Sequence, residues 1–448
     1  MLQSQPMMKG DFLVRGKRDW WFGLLVPLPL FLQVHGSFGL YSAPEELPIG
    51  LGVPLGFLAA LFLLAPDVPK MVKRLPLGRL TKGSMASFCL WSIYLGILGA
   101  GTDSVALLYA VQWVAPVLLI YYLGVVVASP LRLTELLSGV RAGTSVALVY
   151  LCGLFFFELI AVGHFEGRMT QNAFLPGMYQ LYNYVPVSLT LASLFCAGLV
   201  AGDSSNEKSW KVWAFLFGAA MVPLITGARD PALIFLVAAP FPAWWARGAR
   251  GVLALIVGAT ALVFGFLLLA DGNLLLLHKL HETFSSYGAT TLSGMFGARA
   301  EVMESYWGLA ERHPWTGLRL LPPSIADPES GVVAKSAHNT YLDILARSGP
   351  LGLLAFLGMV LPALLSVPKL LFQSVTQSKD LVERIKPLHL AAQAAAGPVA
   401  GLLLISCNLR TPLREPISAM LGFLLIGFLL CWSYAEKRGS ASTERMTG

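Results

Sequence analysis

The chain has 448 residues, 56% of them hydrophobic and only 13% charged, with a formal net charge of +7. A soluble domain carries about 25% charge, so this composition excludes a soluble enzyme, a disordered chain and a nucleic-acid binder, and points to an integral membrane protein. The five cysteines, Cys89, Cys152, Cys196, Cys407 and Cys431, all fall in apolar runs without metal-ligand spacing, which excludes a disulfide scaffold and reads them as packing residues.

Apolar runs long enough to span about 30 Å of hydrocarbon recur from Trp20 to Tyr434. In chain order, spans are expected near 20–40, 48–66, 84–100, 105–127, 143–163 and 181–201. A second set is expected near 212–228, 231–246, 251–270, 349–367, 388–406 and 417–434. The fold class is therefore an all-α polytopic membrane protein of about twelve transmembrane helices, one membrane-embedded domain over 1–448. The first run has no small-residue cleavage pattern after it and is expected to remain as an anchor. Pro27, Pro29, Pro223, Pro240 and Pro242 predict kinks or early helix ends.

Basic residues set the orientation, because short cytoplasmic loops accumulate Lys and Arg. Lys9, Arg15, Lys17 and Arg18 precede the first span, Lys70, Lys73, Arg74, Arg79 and Lys82 follow the second, and Arg132 and Arg141 follow the fourth. Continuing the alternation puts 22 of the 32 basic residues on that side. Both termini are then cytoplasmic, and residues 271–348 form one large periplasmic loop containing short helices. A loop of this length is usually functional.

Ten basic residues fall on the outer side: Arg168, Arg229, Lys279, Arg299, Arg312, Arg319, Lys335, Arg347, Arg410 and Arg414. Any one of them also reads as an interfacial anchor snorkelling to headgroups. As a group they oppose the insertion bias, and arginine forks bind phosphate oxygens bidentately. An anionic, phosphorylated ligand at the outer face is the first functional expectation. Arg229 is placed most sharply, in Thr226-Gly227-Ala228-Arg229-Asp230-Pro231 at the junction of two spans, where an ion pair with Asp230 is the alternative reading. Within the spans, Glu158 is the main charged exception and a candidate on that ground.

The outer loop opens with Leu274–Leu277, Lys279, Leu280, His281 and Glu282, which read as an amphipathic interfacial helix. Val302, Tyr306 and Leu309 then mark one stripe of a second helix. Arg299 stands at the start of that helix, where a cation needs an anionic partner, with Glu301 or Glu304 within reach. His313-Pro314-Trp315-Thr316-Gly317 predicts a turn, and Pro322–Gly331 a polar loop able to move. Before the tenth span comes Ala337-His338-Asn339-Thr340-Tyr341-Leu342, with His338 or Asn339 at a helix N-cap. A histidine there faces the outer mouth of the bundle and can take a proton near neutral pH; a structural cap is the alternative.

Taken together, the T-G-A-R of 226–229, Arg299 followed by Trp307 and the H-P-W-T-G turn, and His338-Asn339-Thr340-Tyr341-Leu342 resemble the bacterial O-antigen ligase and polymerase superfamily. The resemblance spans about 226–365, and the twelve-helix layout agrees with it along the whole chain. Family members often carry Ser where this chain has Ala228, and Gly soon after the turn where it has Leu318 and Arg319.

The resemblance implies a membrane glycosyltransferase of the bacterial inner membrane. It takes a glycan from an undecaprenyl diphosphate carrier and joins it to a sugar hydroxyl on the periplasmic side, with inversion. Arg229 and Arg299 would bind the diphosphate, and His338 would act as base toward the acceptor hydroxyl or position it. Asn339, Arg347, Arg410 and Arg414 are supporting candidates. Two guanidinium groups neutralise a diphosphate leaving group much as a metal does elsewhere. The outer side has no Asp-x-Asp pair or His/Cys cluster, so no metal and no cofactor is expected. A ligase, with lipid A core oligosaccharide as acceptor, is favoured because one outer loop holds both Arg299 and His338. The alternatives are a polymerase that extends a carrier-linked repeat unit and, more distantly, a lipid-linked oligosaccharide flippase. The expected partners are these substrates and membrane lipids, with no nucleic acid.

Overall fold

The structure, a computed structural model, describes residues 9–28, 31–34, 51–54, 76–163, 185–203, 209–270, 272, 274–286, 298–332, 336–372, 386–413 and 416–447. Helix dominates because long apolar segments in a membrane satisfy their backbone polar groups internally. In order the helices are α1 (Lys9–Leu25), α2 (Arg79–Ala100), α3 (Val105–Val126), α4 (Pro130–Val162), α5 (Val185–Gly202), α6 (Ser209–Thr226) and α7 (Arg229–Ala238). They continue with α8 (Pro240–Leu269), α9 (Leu275–Ser286), α10 (Ala298–Arg312), α11 (Pro323–Ala326), α12 (Thr340–Phe372), α13 (Lys386–Gly401) and α14 (Pro416–Thr447).

Among the described residues, eight helices are long and apolar enough to cross a membrane, and α6 is a shorter apolar one. The all-α polytopic class therefore holds. The start of the chain differs from the reading of its apolar runs. Instead of a span over 20–40, α1 begins at Lys9 and stops at Leu25, just before Pro27, which has no backbone N–H to donate. Phe31–Val34 (β1) then pairs antiparallel with Leu51–Pro54 (β2). The rest of the expected 48–66 span lies outside the described residues. Further on, the expected break between 231–246 and 251–270 is real. Helical geometry fails at Arg247 and at Gly248, whose φ is +58°, so α8 doubles back and brings the Gly251 backbone against Ala243.

The centre of the bundle is α5, α13 and α14, whose apolar faces are buried nearly all round, whereas α8 turns Leu253, Ile256, Val257, Phe264 and Leu268 outward as a lipid-facing helix does. Small residues let the central backbones approach: Gly198 of α5 lies on Ala394 of α13, and Gly397 and Gly401 lie on Ala238 and Ile234 of α7. On the flank, α1 packs on α4 through Gly23, Gly139 and Gly143. A buried cluster locks that contact: Arg132 donates to both oxygens of Asp19 at 2.6 and 2.9 Å, and the Tyr122 hydroxyl donates to the same carboxylate.

At the other end of α3 the chain over 313–321 is strapped to the start of α12. Gly349 breaks α12 with φ +69° and ψ −176°, a conformation open essentially only to glycine. A Cβ there would lie 2.1 Å from the Trp315 carbonyl oxygen, and one at Gly317 would lie 2.5 Å from that of Ala346. The two glycines thus let the His313–Gly317 turn sit directly on the 346–349 corner. Gly349→Ala should destabilise the protein by more than about 1–3 kcal/mol through backbone strain alone, read as a lowered thermal midpoint in detergent; an unchanged midpoint would contradict this strap.

Candidate active site

Four chain segments meet at that end of the bundle. The first is the junction of α6 and α7. Thr226 bonds back to Val222, Gly227 takes the left-handed conformation that ends helices, and extended Ala228 leads into Arg229 and Asp230 in the first turn of α7. Lys279 of α9 braces the turn, donating to the Gly227 carbonyl at 3.1 Å. Asp230 has no solvent exposure. Its neighbour Arg229 approaches only to 3.9 Å, while the Nε of Arg410 lies 2.5 Å away. The neighbour ion pair anticipated from sequence exists, but the closer partner comes from a distant segment.

That second segment, Asn408-Leu409-Arg410, joins the others. It follows α13 after a π-helical turn over Leu402–Ser406, a distortion frequent at functional sites. The Leu409 carbonyl accepts from Arg299 at 3.1 Å, and the Arg410 carbonyl accepts from the Thr340 hydroxyl at 3.1 Å. The Asn408 side chain accepts from Asn339 at 3.4 Å. Arg299, at the start of α10, therefore ties that helix to the chain that follows α13.

His338 belongs to the third segment. Its φ of +53° is left-handed, uncommon for a residue with a side chain. The next residue holds it there: Asn339 caps α12, its side chain accepting from Leu342 N at 3.0 Å. On the other side, Ala337 N donates to Asp343 at 3.2 Å. The imidazole is half-buried. Burial first, then the charges of Arg299 and Arg410, hold its pKa below the ordinary histidine value, while Asp230 and Asp343 pull the other way. Thr340 and Asp343, which follow it in the chain, line a small cavity together with Trp113, Phe356, Thr411 and Phe423, among others.

The fourth segment is the chain over 312–331, which Arg347 of α12 holds. Arg347 is wholly buried, pairs with Asp343 at 3.2 Å, and donates to the carbonyls of Leu320 and Leu321, each at 3.2 Å. Its guanidinium lies over the Tyr109 ring. Arg347 thus supports the site as a buried clamp on the loop. The stretch 322–331 holds α11 and a 3-10 turn, with Asp327 capping that turn and pairing with Arg312 at 3.2 Å and His313 at 3.4 Å.

Arg229, Arg299, Arg410, His338 and Asn339 are therefore brought to one end of the bundle. Arg414 and the side chain of Glu158 lie outside the described residues. Sequence reading used Asp230 only as a partner for Arg229 and passed over Asn408; the available signal was the polar Asn408-Leu409-Arg410-Thr411 breaking an apolar run. Among the described residues, no group of three His, Cys, Asp or Glu is placed to hold a metal ion.

A family model described as O-antigen ligase matches residues 213–357. The match bears out the resemblance to the O-antigen ligase and polymerase superfamily read from the motifs, and it includes Arg229, Arg299, His338 and Arg347. It ends before Arg410, which the fold brings back beside the matched residues. No curated protein matches the chain.

Proposed function

We propose that this protein, a multi-pass membrane protein with a segment matching the O-antigen ligase family, is itself an O-antigen ligase of the bacterial inner membrane. In this reading it transfers a glycan from undecaprenyl diphosphate to a sugar hydroxyl of lipid A core oligosaccharide, at the periplasmic face and with inversion. The observation that carries the reading is the placement of His338, held in a left-handed turn and within reach of the charges of Arg299 and Arg410. A base kept neutral by burial first, and then by surrounding positive charge, suits an enzyme whose other substrate is an anion.

Arg229 and Arg299 grip the diphosphate, with Arg410 supporting them. His338 takes the proton from the acceptor hydroxyl as its oxygen attacks the anomeric carbon. The bond from that carbon to the diphosphate oxygen breaks on the opposite face, and the departing charge is stabilised by the guanidinium groups. Asn339 fixes the orientation of His338. In this reading the arginines supply the positive charge, no metal takes part, and EDTA leaves turnover unchanged.

Arg229→Ala and Arg299→Ala should each cost roughly 1.5–3 kcal/mol in carrier binding or leaving-group departure, the worth of a charge-assisted contact. Lysine should rescue little, because a point charge does not reproduce the fork. Normal transfer by an Arg229→Lys, Arg299→Lys double variant would return both residues to an anchoring role.

For His338 the sign of the pH dependence follows from its lowered pKa. The neutral base is present at pH 7, and activity falls only as the pH drops below the ordinary histidine value of about 6.5. His338→Ala should slow single-turnover transfer roughly 10²- to 10⁴-fold while carrier binding, measured separately, stays near its starting value. Loss of binding in step with rate would make His338 a phosphate ligand instead of a base.

A further inference from the structure

Asp230 is a carboxylate with no exposure at the mouth of a membrane bundle, and a buried charge persists only where opposite charge compensates it. Its position in the first turn of α7 supplies part of that compensation through the helix dipole. The larger part is Arg410, whose Nε is 2.5 Å away, closer than that of adjacent Arg229. Arg410 comes from an extended residue beyond the matched family segment, so nothing in its local helix geometry aims its side chain at the site.

Its backbone is meanwhile pinned by groups that flank His338: Arg299 holds the Leu409 carbonyl and Thr340 the Arg410 carbonyl. The Arg410 side chain keeps 14% exposure, so it reaches the opening. The charged groups facing His338 from the elements around it are Arg299 of α10, Arg410, Asp230 of α7 and Asp343 of α12.

From this arrangement we infer that Asp230 is a positioning residue, whose buried carboxylate fixes the Arg410 guanidinium facing His338 and makes Arg410 a third cation of the diphosphate pocket. The inference rests on the transfer reading above for the identity of the anion. Asp230 itself touches no substrate. It holds Arg410 by a close ion-pair contact at Nε, and its charge offsets part of the positive field on the imidazole. Without it, the guanidinium loses that buried counter-charge.

The test uses the full-length protein in nanodiscs with Asp230→Asn, Asp230→Glu, Arg410→Gln and the Asp230→Asn, Arg410→Gln double variant, which leaves neither charge buried alone. A substrate-free readout is the pH midpoint for acylation of His338 by diethyl pyrocarbonate, a reagent for neutral imidazole, followed by mass spectrometry of its peptide. The midpoint should fall in Asp230→Asn, rise in Arg410→Gln, and lie near the parent value in Asp230→Glu and in the double variant. In single-turnover transfer from a carrier-linked glycan, Asp230→Asn should lose roughly 10-fold or more, Asp230→Glu should recover most of it, and Asp230→Asn should cost little further in the Arg410→Gln background.

An unmoved midpoint in Asp230→Asn, or losses that simply add, would make Asp230 a packing residue and overturn the inference. If Arg410→Gln does not fold, the Asp230→Asn and Asp230→Glu midpoints decide alone. Midpoints that move as expected, in a parent protein that transfers no glycan, would uphold the positioning role and remove the transfer function.

Discussion

The ion pair between Asp343 and Arg347, both in α12 before its break at Gly349, organises the end of the bundle that carries the candidate site. Each member is almost completely buried, and taking two charges out of water costs several kcal/mol per ion unless their hydrogen bonds are also met. Here Asp343 Oδ2 and Arg347 Nε face each other at 3.2 Å, and other atoms of the pair hold the groups that need placing. Asp343 accepts from Ala337 N, directly before His338, and Arg347 donates to the carbonyls of Leu320 and Leu321. Leu320 has a φ of +65°, a strained value for a side-chain-bearing residue that persists only when its surroundings over-determine it. One salt bridge therefore ties together the Leu320–Leu321 backbone and the residue that precedes the candidate base.

This arrangement gives the H-P-W-T-G turn a physical meaning. Gly317 is the place where a Cβ would collide with the 346–348 backbone, and Gly349 is its counterpart on α12. With both side chains absent, Leu318 and Leu320 hydrogen-bond to the carbonyls of Ala346 and Arg347 at 2.9 and 3.0 Å. Trp91 of α2 adds a bond to the Ser348 carbonyl at 2.7 Å. The loop thus rests on rigid helix ends, which suits the proposed reading of the site, since binding groups are placed most precisely on rigid elements.

How much of this is legible in the sequence follows from the range of the interactions. The helices over 84–100, 105–127 and 388–406 are set by local apolar content and match the described elements closely. Gly248 and Gly349 mark real helix breaks because glycine acts on its own residue. Arg229, Arg299 and His338 stand out because each sits at a local break in pattern. What composition hides is partner choice. Whether Asp230 pairs with Arg229 or Arg410 depends on how α7 lies beside the chain after α13, and the clamp role of Arg347 depends on a loop some thirty residues earlier reaching it. The stretch 322–331 reads as mobile from its Pro, Ser and Gly content, yet Asp327, taking Arg312 and His313 together, ties it to the end of α10.

The family match and the motifs agree on the superfamily, and the acceptor is what distinguishes its branches. The most direct test offers purified protein in nanodiscs a defined undecaprenyl-diphosphate-linked glycan together with both acceptors, lipid A core oligosaccharide and a second carrier-linked repeat unit. The expected result is glycan joined to lipid A core, with release of undecaprenyl diphosphate and inversion at the anomeric carbon. Chain extension on the carrier, with no product on lipid A core, would contradict the ligase assignment, and no transfer to either acceptor would contradict the assignment of this site to glycan transfer.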